Sequence, residues 1–245
     1  MKRIIFITAL ILTVPLFAQQ RRAVPTTSFA SDNQTVPVMA NTVGIGGATF
    51  QTYVALLNPT PSAFSVDVTL YDGAGTKRNA TITLAAGELK TYNNFLSEVF
   101  NYSGGGAVTL KSAAGNRFIV STEVRTGAAR YSTSVPALEF AGSNSKSFSA
   151  GITVDSTSRT NVGCFNQADV DNSVKATVYD KTGTQTLGTT TLNLGANAWG
   201  QTAINTIVSG GYVVFEPQEA AVCYAVVVDN TTNDGRFISA AEYKP

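Results

Sequence analysis

The chain repeats itself. The segment TYVALLNPTPSAFSVDVTLYDGAGT, residues 52–76, aligns without gaps on TNVGCFNQADVDNSVKATVYDKTGT, residues 160–184, at an offset of 108 positions (160 − 52). Ten of the 25 positions are identical: Thr52, Val54, Asn58, Ser65, Val66, Thr69, Tyr71, Asp72, Gly75 and Thr76 recur as Thr160, Val162, Asn166, Ser173, Val174, Thr177, Tyr179, Asp180, Gly183 and Thr184. Looser matches follow in the same order. TITLAAGEL at 81–89 answers TTTLNLGANAW at 189–199, GGAVTLKS from Gly105 answers GGYVVFEP from Gly210, and RFIVSTEVRT from Arg117 answers AVCYAVVVDN from Ala221. A unit of roughly 100 residues can close a core of its own. The chain is therefore expected to fold as two similar units in tandem, over residues 35–138 and 147–245, with a polar junction at 139–146 and a linker at 19–34.

Within each unit the pattern is short strands broken by turn residues. FSVDVTLYD alternates Phe64, Val66, Val68 and Leu70 with Ser65, Asp67, Thr69 and Tyr71, and SVKATVYD does the same with Val174, Ala176 and Val178. Period-2 alternation marks a strand with one buried face, and the DGAGT and DKTGT that follow supply a hairpin turn. Only YNNFLSEVF, residues 92–100, hints at a helical turn. About seven short strands per unit is the profile of an immunoglobulin- or fibronectin-like β-sandwich, so the expected fold class is all-β with two such sandwiches. One closed barrel made from both units is the competing arrangement.

The chain opens MKRIIFITALILTVPLFAQQRR, a basic start, an apolar run from Ile4 to Phe17, and small residues before Gln19. That is the form of a signal peptide cleaved after residue 18, with an h-region too short for a comfortable membrane span. The rest is rich in Thr, Ser, Val, Gly and Asn, which suits exported β-structure, at the periplasm, the cell surface or beyond. A formal net charge of +1 offers no field to gather nucleic acid. The chain contains no histidine, which excludes Ser-His-Asp and Cys-His catalysis and removes imidazole from any metal site.

VPVMANTVG, TYVALLNPTPSAFSVDVTLYDGAGT, TLAAGEL, GGGAVTLKS and STEVRTG…YSTSVPA, taken in that order, resemble a tandem-repeat module of secreted bacterial proteins. In that module a β-sandwich carries an LxNP strand end, a YDxxG hairpin and an apGe turn. The second unit departs from it where NP becomes Asn166-Gln167 and AAGE becomes GANA. The resemblance implies an extracytoplasmic, non-enzymatic domain and carries over no catalytic residue.

Two cysteines remain to be placed. Cys164 aligns with Leu56, and Cys223 with Ile119 or Phe118, so both occupy positions that are apolar in the sister unit. In an oxidising compartment, core positions facing across a sandwich point to an inter-sheet disulfide, with reduced buried thiols as the alternative. Asp229, Asn233 and Asp234 in VDNTTNDGR offer oxygen ligands for a cation, and Asp169 and Asp171 add to them. The loop lacks the glycine and terminal glutamate of an EF-hand and reads as a long turn, so no metal or cofactor is expected. Trp199, the single tryptophan, beside Tyr212 could stack on a sugar ring, although its alignment with Leu89 favours a core or inter-unit position. The expected function is structural, adhesive or surface interaction, without catalysis. A carbohydrate- or cation-binding accessory role is the alternative, a hydrolase comes third, and the expected partner is an extracellular protein or polysaccharide.

Overall fold

The computed structural model describes residues 30–126, 131–139 and 142–242. The expected signal peptide, 1–18, and most of the 19–34 segment lie outside the described residues. The first half contains β1 (Asn33–Val43), β2 (Thr49–Leu57), β3 (Phe64–Asp72), β4 (Lys77–Leu84), β5 (Leu89–Tyr92), α1 (Phe95–Phe100), β6 (Gly104–Ser112), β7 (Ile119–Thr126) and β8 (Tyr131–Ser134). The second contains β9 (Ser147–Val154), β10 (Ser158–Asn166), β11 (Asn172–Tyr179), β12 (Thr186–Leu194), β13 (Trp199–Ala203), β14 (Val208–Pro217), β15 (Ala221–Asp229), β16 (Gly235–Ser239) and β17 (Ala241–Glu242). Among the described residues the fold is all-β apart from one α-helix and a short 3-10 turn.

Strand pairing repeats with the sequence. In the second half the sheets run β13-β10-β15-β16 and β12-β11-β14-β9-β17. In the first, β4-β3-β6-β1 and β2-β7-β8 with β5 on β2 follow the same order, but β1 joins them into one sheet. The eleven-residue β1 pairs with β6 up to Asn41 and with β2 from Asn41 to Val43. Its register shifts between Val36 and Met39, around Pro37, which has no N–H to give to a ladder. The eight-residue β9 is too short to reach both sheets.

This order places the first strand beside the sixth and the seventh beside the second. An immunoglobulin constant domain instead holds strands A, B, E and D in one sheet and C, F and G in the other. Alternation fixes which face of a strand is buried and says nothing about its neighbours. Among the described residues no ladder joins a strand of one half to a strand of the other, so no barrel closes across both.

The Asn shared by both repeats ties off the strand ends. Asn58 is fully buried; its Nδ2 donates to the carbonyls of Ser62 and Ala85, both at 2.8 Å, and its Oδ1 accepts from the Thr60 N–H at 2.9 Å. Asn166, equally buried, donates to Val170 at 2.8 Å and Gly195 at 2.7 Å and accepts from Ala168 at 3.1 Å. A buried side-chain amide can satisfy three backbone groups of two loops at once, which an apolar residue cannot. The hairpin aspartates act similarly: Asp72 Oδ1 accepts from Ala74 and Thr76, and Asp180 Oδ1 from Thr184 and Gln185.

Candidate functional site

Cys164 and Cys223 are direct cross-strand partners on β10 and β15, 4.1 Å apart at Cα, and they form a disulfide. The pairing expected from sequence is present, but its placement is not. The bond links neighbours within one sheet instead of crossing the core, because the seventh strand lies beside the second. The register also identifies Val120 as the counterpart of Cys223, since Leu56 pairs with Val120 as Cys164 pairs with Cys223.

One step along the same ladder, Gly163 faces Tyr224. Side chains alternate across a strand, so with the cysteines turned to the second core this pair lies on the sheet's other face. Gly163 has no side chain, and the Tyr224 ring lies over it in the space a Cβ would occupy. Tyr224 is fully buried and belongs to the core of the first half. Its hydroxyl accepts from Trp199 Nε1 and donates to Gln201 Oε1, both at 3.0 Å, and Phe237 stacks on its ring at 5.2 Å. Burial pushes the Tyr224 pKa up, which favours the neutral hydroxyl.

The first half meets this face closely. A Cβ on Gly105 of β6 would fall 2.7 Å from the Trp199 ring, so only glycine fits there. Tyr71 of β3 packs on Phe165 of β10 with ring centroids 4.8 Å apart. Ala221 donates to the Ser143 carbonyl at 3.2 Å, tying the junction to β15. The outcome is a seam in which β10 and β15, the central strands of one sheet of the second half, are covered on both faces.

The seam leaves a cavity of about 380 Å³, within the usual range for small-molecule sites. Its walls include Phe50 and Val124 from the first half and Trp199, Val226 and Phe237 from the second. All five remain only half-buried. Two polar residues line the same space from opposite halves. The Thr126 hydroxyl is itself closed off from the cavity and, among the described residues, has no hydrogen-bond partner. Arg159 is half-buried and gives NH1 to Asn230 Oδ1 at 3.0 Å and NH2 to Asn233 Oδ1 at 2.8 Å, both neutral acceptors. Burial draws its pKa down, against the pull of the nearby Asp229 carboxylate.

Trp199 and Tyr212 are not brought together. Trp199 lies at the seam on β13, whereas Tyr212 is on β14 in the other sheet, stacked on Tyr179 at 5.2 Å. The acidic loops are also separated, because Asn166 pairs with Ala221 at one end of β10 and Ser158 with Asp229 at the other. Asp169 thus sits at one end of the second half, holding Asn197 Nδ2 at 2.7 Å. At the opposite end Asp229 Oδ1 accepts from Thr231 and Thr232, Asn233 is taken by Arg159, and Asp234 Oδ1 accepts from Gly235. Among the described residues no three His, Cys, Asp or Glu side chains gather where they could hold a metal.

Sequence reasoning did not single out Tyr224, Gly105, Thr126 or Arg159. One signal was present: AVCYAVVV is apolar on both faces where its counterpart IVSTEV alternates, and a strand apolar on both faces is covered on both. Thr126 and Arg159 carry no comparable mark.

No family model matches the chain, and no curated protein matches it. Among solved structures it is similar to Bacteroides uniformis β-glucuronidase 2 covalently bound to cyclophellitol-6-carboxylate aziridine. The TM-score is 0.18 and the identity 10%, over 79% of this chain and 24% of that one. A likeness at that level carries no argument about fold or activity.

Proposed function

We propose that this chain is an exported, non-catalytic protein in which two tandem β-sandwich units act as a single body, serving as a structural or surface-interaction component. Its two repeats resemble a tandem module of secreted bacterial proteins. The observation that carries the reading is Tyr224, a residue of the second half buried in the core of the first. A linker-jointed pair of binding modules has no need of such a graft, whereas a spacer or scaffold that must hold its two ends in fixed relation does. The disulfide supports an oxidising compartment. Trp199 is engaged on its ring by Gly105 and at Nε1 by Tyr224, which favours a joining role over sugar stacking.

The test is made on the whole chain expressed with a C-terminal tag. It should be recovered outside the cytoplasm, shortened by its first eighteen residues, and gain two hydrogens in mass on reduction. Gly105→Leu should open the seam, shifting Trp199 emission to the red and splitting one unfolding transition into two. Cytoplasmic protein with free thiols would overturn the export reading, and an unchanged single transition in Gly105→Leu would overturn the single-body reading.

A further inference from the structure

We propose that the cavity between the two halves is a binding site for a small amphipathic carboxylic acid, its carboxylate held by Arg159 and its hydrocarbon body by the apolar walls. The inference is independent of the structural role proposed above.

A buried hydroxyl without a partner forfeits the hydrogen bonds it had in water, and native structures keep such groups rarely. Thr126 stands at the end of β7, where a valine of the same shape would pack without that loss. That hydroxyl is itself sealed from the cavity, so the polar contact to a ligand comes from the other wall. Across the cavity, the guanidinium of Arg159 is fixed by two asparagine amides that orient it without neutralising it. Asp229, the carboxylate that favours its charge, spends Oδ1 on its own turn, and Asp234, also on the wall, accepts the Gly235 N–H. Arg159 therefore keeps donors free in the fork geometry that suits a carboxylate.

The walls supply the other half of the specificity. Phe50, Val124, Val226 and Phe237 converge on the space yet remain half-exposed, so an apolar body placed between them would remove more hydrocarbon surface from water. One positive group beside a lining that is mostly apolar in area matches a compact acid with a hydrocarbon chain or ring.

The single tryptophan lines the cavity, so its emission reports occupancy directly. The oxidised full chain would be titrated with hexanoate, octanoate, decanoate and 1-naphthoate, and in parallel with octanol and octylamine, with calorimetry as a second readout. Saturable binding of at least one acid is expected, about tenfold tighter than that of octanol. Arg159→Met, which keeps the apolar stem, should abolish the preference for acid over alcohol. Thr126→Val, which alters a hydroxyl sealed from the cavity, should leave acid binding and the acid preference unchanged, so a loss in Arg159→Met alone marks Arg159 as the ligand contact. The proposal is overturned if no acid saturates the signal up to millimolar concentration, if octanol binds as well as octanoate, or if Arg159→Met keeps its preference while remaining folded.

Discussion

Where β2 runs beside β7 in the first half, Leu56 and Val120 sit together; at the same place in the second half stand Cys164 and Cys223. The two pairs have the same exposure, 0% and 5%, so they occupy one site of one fold. The surroundings differ. Along the inner face of the third strand of each unit, Phe64, Val68 and Leu70 become Asn172, Ala176 and Val178. The first half also inserts α1, capped at Asn94, whose Oδ1 accepts from the Ser97 N–H, and this helix buries Phe95 and Leu96. The Val-to-Ala and Leu-to-Val differences alone remove about 2 kcal/mol of apolar burial. A disulfide with a sequence separation of 59 contributes about 4 kcal/mol in the chain-entropy model. The first half is held by larger side chains, the second by a covalent bond within one sheet that borders a thinner core.

The largest effect should come from removing that bond. Cys164→Ala with Cys223→Ala is expected to lower stability by about 4 kcal/mol, with hydrogen exchange rising first in β10 and β15. Substituting the sister residues, Cys164→Leu with Cys223→Val, should recover part of the loss and no more, since the surrounding core is the thinner one. Equal loosening of β2 and β7 in the alanine variant would show that stability is not stored half by half.

The buried asparagines should behave alike in both halves. Asn58→Ala and Asn166→Ala each strand several loop carbonyls and are expected to lose about 2–3 kcal/mol, read as urea midpoints. A difference of more than about 1 kcal/mol between them would contradict the shared role.

Acid should weaken the second half. Asp155, Asp180 and Asp229 are held below the usual carboxylate range by hydrogen bonds in their turns, led by the Thr157 hydroxyl, the Thr182 hydroxyl and the Thr232 N–H respectively. Glu216 is held low first by its hydrogen bond from Lys146. For groups whose folded pKa is depressed, the stabilising contribution is complete above the unfolded value, about 4, and is lost as pH falls through the folded one. Chemical-shift titration of these four carboxyls should give midpoints below the unfolded values. Midpoints at or above those values would remove the basis for acid sensitivity here.

The sequence made the architecture legible because duplication exposes what alternation hides. Aligning Cys164 with Leu56 marked a core site before any contact was known, and Phe64 to Leu70 displayed their inner face directly. Strand order stayed hidden, since Cys164 would be equally buried whether Cys223 lay across the core or on the next strand. The seam was half legible, in the two-faced apolar run around Tyr224 and the glycines at 105 and 163. Its cavity was not, because Arg159 and the apolar walls around it acquire meaning only when two halves distant in sequence close on the same space.

The smallest effect tests a single position at which the repeats diverge. In the turn AAGE, Gly87 has φ of 68°, and in GANA its counterpart Asn197 has φ of 55°. Both N–H groups reach back to the preceding loop, Gly87 to the Thr60 carbonyl at 3.1 Å and Asn197 to that of Ala168 at 2.9 Å. The backbone is therefore the same, and the side chain has been fitted to it. Glycine adopts this left-handed conformation freely, and asparagine tolerates it better than most residues. Gly87→Ala should lower stability by about 1 kcal/mol, while Gly87→Asn should lose less than half as much. Asn197→Gly is expected to be nearly neutral, because conformational relief is offset by loss of the Asn197 hydrogen bond to Asp169. If Gly87→Asn proves as damaging as Gly87→Ala in thermal unfolding, left-handed backbone preference is not what separates the two turns.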